Sequence, residues 1–568
     1  MPNTMPDLKE LFYEAVRHHQ AGRLTEAENL YRRILLIDPF FADALHLLGV
    51  LANQVGRHDI AVDLINKAIA LNDQVPTFHC NLGNVLRDMG KLDEAVSSYR
   101  RAIACKENYP EAHYNLGNAL KDQGKLDEAA ASYRRAVDQK PDLVAAHNNL
   151  ALVLKAQGKL DDAVASYRQA LACKPDLAEA HNNLANALKD KGDLKDAVAS
   201  YRQALVYKPE FAEAHYNLGI ALKDIGIELK DSNKLREAVA SYQMALVYNP
   251  DYAEAHYNLG LLLLLIGRYE EGWHEYEWRW RVKDFLSPRR DFRQPLWQGE
   301  CLKGKRILLH AEQGLGDAIQ FCRYVPLVAA LGGQVVLEVP RSLKGLLKGS
   351  GIDHIVAKGD PLPPFDLHCP LLSLPKVFGT RVETIPATIP YLTAGPERVA
   401  FWRDRLPQSG FRVGIVWHGN PTYGGNHNRS IPLTCFAPLA SIPGVRLICL
   451  QKNHGLDQLE SLPSGMHVER LGQDYDDGDF ADTAAVIKNI DLVISSCTSV
   501  VHLAGALGQP VWLPLAAFPH WVWLLERDDS PWYPGMRLFR QTSHGDWPGV
   551  FKHIAAELKS HLPPLSIK

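Results

Sequence analysis

The sequence predicts a helical repeat superhelix followed by an α/β module of two lobes, each built on a parallel sheet. Three observations carry that prediction. Asn81, Asn115, Asn149, Asn183 and Asn217 recur every 34 residues, each followed by Leu. Past residue 285 this rhythm stops, and short apolar runs alternate with helical patterns. Those runs form two successive sets, separated by a helical link near GPERVAFWRDRL. The chain therefore divides into a repeat superhelix over 1–285, a connector over 286–302, a first lobe over 303–395 and a second over 396–568. At 568 residues it is too long for a single hydrophobic core.

Each repeat unit, such as EAHYNLGNALKDQGKLDEAAASYRRAVDQKPD, places small residues at helix crossings and closes on Pro. The next Asn in the series, Asn258, comes 41 residues after Asn217. The extra seven residues fall in GIELKDSNKLREA, where a lengthened turn between paired helices is expected. Period, small residues and terminal Pro together resemble the tetratricopeptide repeat, over roughly residues 8 to 285. Helix pairs of this kind cannot bury their faces alone, so they stack into a superhelix with a concave groove. A second Asn, at Asn84, Asn118 and Asn186, follows the first by three residues and shares its helix face. Successive repeats are expected to stack these amides into a row. Asn donates and accepts, which suits the backbone of an extended peptide without reading its side chains. The same amides could instead bridge neighbouring helices. The repeats are similar to those of O-linked N-acetylglucosamine transferase, and that resemblance implies an asparagine-lined groove holding acceptor proteins.

Composition narrows the classes. With 46% apolar and 22% charged residues and a net charge of −3, the chain lacks the basic excess of a nucleic-acid binder. No run of 18 apolar residues is present, and the start, MPNTMPDLKELF, lacks the apolar segment of a signal peptide. Nine scattered cysteines form no CxxC pair, which suits a reducing cytosol better than a disulfide framework or a zinc site. The expected location is cytoplasmic.

In the first lobe, RILLHA, QVVLEVP, DHIVAKG and FDLHCPLL read as strands; in the second, RVGIVWHG, VRLICLQ, DLVISS and PVWLPL do. Such Rossmann-like sheets bind ligands beyond the carboxyl ends of their strands. The first such end is EQGLGD, where Gly314 and Gly316 turn the backbone tightly and Asp317 opens a helix. Asp317 is either a helix cap or a general base facing the cleft. In the second lobe, the Gly- and Asn-rich loop from His418 to Arg429 ends on a cation that could neutralise a phosphate or form a surface ion pair. Gln451 and Lys452 end another strand. In SSCTSVVH, Thr498 and Ser499 stand at a helix N-terminus, where free N–H groups and the helix dipole favour an anion. His502, one turn on, could touch that anion or pack in the core. The acidic run DYDDGD reads mainly as solvated turn and cap residues rather than a metal site.

EQGLGD together with DFADTAAVIKNIDLVISSCTSVVHLAGALGQPVW resembles the heptosyltransferase family of GT-B glycosyltransferases, over about residues 300 to 555. The resemblance implies metal-independent, inverting transfer of a sugar from a nucleotide sugar, with no cofactor, and makes Asp317 the base. It also implies a donor site drawn from Gly316, His418, Arg429, Gln451, Lys452, Cys497, Thr498, Ser499 and His502. The family usually has Asp where this chain has Cys497, and a neutral thiol cannot accept a sugar or ribose hydroxyl as a carboxylate does. The expected function is therefore a glycosyltransferase acting on a protein presented by a groove lined with Asn81, Asn84, Asn115, Asn118, Asn149, Asn183, Asn186, Asn217 and Asn258. The alternatives are a transferase of lipid-linked or surface glycan assembly, or a scaffold with a degenerate donor site. Sugar, nucleotide, acceptor and oligomeric state are not specified by the sequence.

Overall fold

The computed structural model describes residues 7–562, apart from 284, 286, 349–351, 353 and 423–425. By contact the chain falls into two compact units, Met1–Ala221 and Leu222–Lys568. Helices that the repeat pattern assigns to the superhelix thus belong, from Leu222 onward, with the α/β half.

Sixteen helices run between Leu8 and Tyr276 among the described residues, paired in the order that the 34-residue period predicts. In the first unit, first helices of successive repeats touch one another, as Pro76–Asp88 touches Pro110–Asp122. The second helices carry Tyr99, Tyr133, Tyr167 and Tyr201, all with no exposed surface. Each ring is admitted by a small residue on the preceding helix; a Cβ at Gly117 would stand 2.6 Å from the Tyr133 ring. Where the repeat carries a second Asn, the Tyr hydroxyl turns back to it; Tyr167, opposite Leu152, has no such partner. Tyr99 donates to Asn84 at 2.8 Å, Tyr133 to Asn118 at 2.7 Å and Tyr201 to Asn186 at 2.6 Å. The seven extra residues before Asn258 do not lengthen a turn. They extend both helices, Ala212–Glu228 and Ser232–Tyr248, to 17 residues each, joined by the short turn 229–231.

The C-terminal unit holds two sheets. In the first, β1 (Arg306–His310), β2 (Gln334–Val339), β3 (His354–Ala357) and β4 (Leu367–Pro370) lie in the order β3-β2-β1-β4, all parallel. The second contains β5 (Phe411–Val416), β6 (Val445–Cys449), β7 (Val468–Glu469), β8 (Leu492–Ser495), β9 (Val511–Leu515), β10 (Asp529–Ser530) and β11 (Tyr533–Arg540). Its order is β10-β11-β9-β8-β5-β6-β7, parallel throughout except for the β10–β11 pair. The eight expected runs are all strands; β7, β10 and β11 are additional. The central strands are continuous apolar runs because helices cover both faces of a parallel sheet.

The last repeat joins this α/β core. Trp273 donates its indole N–H to the Thr380 carbonyl at 3.1 Å, and Trp532 donates to the Tyr269 hydroxyl at 3.1 Å. Gly260 occupies the repeat position of Gly117, but a Cβ there would meet backbone, the Tyr276 nitrogen at 2.7 Å, rather than a ring. A ring can shift, as it must in the repeat where Ala151 replaces this Gly opposite Tyr167; a helix backbone cannot do so cheaply. Gly260→Ala is accordingly expected to lower stability by about 1–3 kcal/mol, and Gly117→Ala by less than 1. Thermal melts of the two variants, followed beside the parent, check the contrast.

Candidate functional site

The loops at the carboxyl ends of β1 and β8 face one another through two short helices, Leu315–Phe321 and Ser499–Ala506, which pack together. Gly316 makes this approach possible: a Cβ there would stand 2.9 Å from the His502 ring and 3.6 Å from the Ser499 Cα. The EQGLGD turn and the SSCTS turn therefore meet.

Asp317 is the third residue of its helix and reaches back to accept the Gly314 N–H at 2.9 Å. It thus performs the cap-like role, next to Gly316, where the two turns come into contact. Burial raises its carboxyl from the ordinary 3.8 to about 6, against the opposing pull of the Gly314 N–H and the Arg429 charge. A carboxylate with that affinity for a proton can exchange one near neutral pH.

Opposite it, the Ser499–Ala506 helix begins with no side-chain cap. The Thr498 hydroxyl pairs with Ser495 at 3.2 Å instead; the Val501 N–H is taken by the Thr498 carbonyl, and the Ser499 and Val500 N–H groups have no acceptor among the described residues. Arg429 lies across this turn, donating to the Cys497 carbonyl at 3.1 Å and to the Asn426 amide oxygen at 3.3 Å. It fits because Gly419 has no side chain; a Cβ there would stand 2.7 Å from the guanidinium. Arg429, the open helix end and Asp317 are thereby gathered at one place. The Cys497 thiol accepts the Trp523 indole N–H at 3.1 Å, and burial raises its pKa, which keeps it neutral.

Other expected donor residues serve the frame. Gln451 pairs with backbone like an added strand residue: its oxygen accepts from the Trp417 and His418 N–H groups at 3.2 and 3.0 Å. His418 is half-buried and turns its ring to the Gly419 carbonyl at 2.7 Å. Lys452 donates to the Gly478 carbonyl at 2.7 Å and lies over the Tyr475 ring, so it props the acidic loop. In that loop Asp479 caps the Phe480–Ile487 helix through the Ala481 N–H at 2.8 Å. His502 takes the packing role. It contacts the Tyr533 hydroxyl at 3.0 Å, stacks on Trp523 and lies beneath Gly316, and burial lowers its pKa to about 3. A neutral ring so enclosed offers no charge to an anion.

The groove amides are half-buried, Asn217 fully so, and they bond chiefly to one another and to neighbouring side chains. Asn149 donates to Asn118 at 2.9 Å, Asn217 to Asn182 at 3.2 Å and Asn84 to Asn81 at 3.3 Å. Asn81 meets His46 at 2.8 Å, and Asn115 approaches the Cys80 sulfur at 3.7 Å. Asn183 and Asn258 are half-buried on the equivalent helix positions.

Three groups at the site carry no signal in the sequence. Ser496 is fully buried in the SSCTS turn, its hydroxyl without a partner among the described residues. His520 lies tilted against Trp521, ring centroids 5.3 Å apart, and burial beside the Arg429 charge lowers its pKa to about 4. The third comes from the last repeat. Arg279, with no exposed surface, donates to both oxygens of Glu312 at 3.0 and 3.2 Å, to Glu277 at 2.6 Å and to Ser373 at 2.9 Å. Tyr276 accepts the Gln313 amide N–H at 2.7 Å. The first two residues of the EQGLGD turn are thus held by the end of the repeats. Burial raises the Glu312 pKa, opposed by Arg279.

Family models for the TPR repeat and the tetratricopeptide repeat match residues 14–76, 83–124, 114–178, 166–199, 185–226 and 226–267. Protein FlbA of Caulobacter vibrioides is 28% identical over 320 residues, 52% of this chain and 53% of FlbA. The chain thus spans about half the length of that curated relative. YrrB, a solved TPR protein described as having an unusual peptide-binding site, is 21% identical with a TM-score of 0.31, covering 34% of this chain and 96% of YrrB. The C-terminal part of a TPR repeat-containing protein from Cytophaga hutchinsonii is 16% identical with a TM-score of 0.38, covering 43% of this chain and 97% of its own.

Removing the Arg279 guanidinium strands Glu312 in the interior. Arg279→Leu is expected to cost about 3–5 kcal/mol, and adding Glu312→Leu to recover most of that loss. Denaturant unfolding of both variants near neutral pH tests this. Residues to about 270 are tetratricopeptide repeats, and an α/β region with two parallel-stranded sheets follows.

Proposed function

We propose that the chain is a metal-independent, inverting glycosyltransferase that moves a sugar from a nucleotide sugar to an acceptor hydroxyl on a protein held by the repeats. The observation that carries this reading is the apposition of a proton-exchanging carboxylate, Asp317, with an uncapped helix N-terminus under a guanidinium, Arg429. In this reading Asp317 takes the acceptor proton as the oxygen attacks the anomeric carbon in a single displacement. The Ser499–Ala506 N–H groups and Arg429 take up the charge developing on the departing diphosphate. The neutral His520 ring and the Ser496 hydroxyl, unpartnered among the described residues, add hydrogen-bonding groups at the same turn. TPR domains typically bind peptide partners, which favours a protein acceptor over a lipid-linked glycan.

A second reading, a scaffold with a disabled donor site, draws on Cys497, whose thiol is occupied by Trp523 rather than free for a ribose or sugar hydroxyl. Nucleotide-sugar hydrolysis by the purified chain separates the two. Turnover establishes the transferase; its absence across a panel of nucleotide sugars, with Cys497→Asp equally silent, favours the scaffold.

Asp317→Asn keeps an oxygen for the Gly314 N–H but cannot take a proton, so turnover is expected to fall at least 100-fold while donor binding persists. Arg429→Met should do the reverse, weakening donor binding about tenfold or more. The pH dependence follows from the raised carboxyl. Turnover by the parent should rise with pH and level off above about 6, where Asp317 is ionised. Stability runs the opposite way. Between the unfolded value of 3.8 and about 6 the folded chain holds a proton that the unfolded chain has lost, so stability falls through that window as pH rises. Asp317→Asn should consequently melt above the parent at pH 7 to 8, with the gap closing toward pH 4. A flat pH–rate profile, or unchanged turnover in Asp317→Asn, would sink the base assignment.

A further inference from the structure

A cavity of about 290 Å³ opens at the carboxyl ends of β1, β2 and β3, where His310, Glu338 and Lys358 stand. One of its walls comes from beyond the lobe: Trp280 and Arg290 belong to the segment that leaves the last repeat. Its charges are unevenly matched. Glu338 is paired with Arg290, and Glu312 with Arg279. The Lys358 ammonium is exposed and makes no ion pair or side-chain hydrogen bond among the described residues. His310 is buried and faces His368 at 3.3 Å. Burial, then His368 and the charges of Arg290, Arg279 and Lys358, lower its pKa to about 3 and hold it uncharged. Otherwise the lining is largely apolar, with the Trp280 indole on one side.

We infer that this cavity is a specificity subsite that receives one acidic side chain of the acceptor peptide. The inference rests on the reading of the chain as a protein glycosyltransferase. A volume of 290 Å³ admits one side chain with its flanking backbone but not an oligosaccharide or a folded surface. The cation left without a partner selects a carboxylate, and the indole packs the methylene stem of a Glu. Location supplies the connection to the reaction. Glu312 lines the cavity and opens the turn that carries Asp317, so a peptide seated there has its next residues beside the base. Beyond the effect of burial, Asp317 is near enough for its charge to raise the Glu312 pKa, so the acceptor hydroxyl falls a few residues from the acidic side chain.

The test uses the full chain and two blocked peptides, acetyl-Ala-Ser-Ala-Glu-amide and its Gln counterpart, with binding followed by ligand-observed NMR. The Glu peptide is expected to bind about fivefold more tightly than the Gln peptide, with the preference weakening at high salt. Lys358→Met should abolish the preference, whereas Lys552→Met, on an exposed face of the C-terminal helix, should leave it intact. Equal binding of the two peptides, or a preference that survives Lys358→Met, overturns the inference. So does N-acetylglutamate binding as tightly as the Glu peptide, which would mark a site for a free acidic metabolite. Nucleotide-sugar hydrolysis measured in parallel separates this result from the larger reading: it is expected to be unchanged in Lys358→Met, and its absence in the parent would count against the transferase itself.

Discussion

The C-terminal unit depends on one desolvated guanidinium. Arg279 has left water entirely, and a buried cation is tolerated only where carboxylates and further acceptors surround it. Glu277, Glu312 and Ser373 provide them, from the last repeat, the β1 turn and the segment after β4. Because Ser373 also donates to Glu277 at 2.9 Å, the three elements close a ring of hydrogen bonds around the cation. Such a ring tolerates little displacement of any member. The turn bearing Asp317 therefore takes its position from the helical repeats as much as from its own sheet.

This arrangement gives the candidate site an unusual division of labour. Rigidity comes from Arg279 and Tyr276 on one side and from the Gln451 pairing with the Trp417–His418 backbone on the other. Between these braced elements stand the groups the site brings together: the Asp317 carboxylate, the open end of the Ser499–Ala506 helix and the Arg429 charge. Close contact between the two turns requires an absent side chain at Gly316, and the approach of Arg429 requires another at Gly419. Both glycines serve proximity, since neither adopts a left-handed backbone.

Much of the architecture was legible because it is periodic or local. The 34-residue spacing of Asn located the helix pairs, and apolar runs located eight strands. β11, which starts on the turn-like dipeptide of Pro534 and Gly535 after Tyr533, escaped because its partner β9 lies in the same sheet and makes it a strand against local preference. The insertion before Asn258 was placed correctly but given the wrong form: helix propensity on both sides absorbed the residues as extra turns. Asp317, Arg429 and Thr498 could be found at strand ends, whereas Arg279 could not. Nothing in EWRWR distinguishes a buried arginine from the solvated one two residues on, since the difference is made by partners about 33 and 94 residues away. His502 was ambiguous for the same reason; the ring's fate was settled by Trp523 and Tyr533.

Tyr276 occupies the position of Tyr133 in the repeat, 16 residues after the small residue of the first helix. Upstream, the hydroxyls of Tyr99, Tyr133 and Tyr201 are spent within the repeat on an Asn; in the last repeat the Asn position is Leu261, and the hydroxyl meets Gln313 instead. Leu152 makes the same exchange upstream, and there the Tyr167 hydroxyl has no partner among the described residues; what turns the last hydroxyl outward is the EQGLGD turn lying against it. Only the final pair of helices meets the α/β turn in this way. Repeats farther upstream can be duplicated or lost in descent without altering how the array is joined to the sheet, because each repeat answers only to its neighbours. The length of the array and the geometry of the site are thus free to evolve independently.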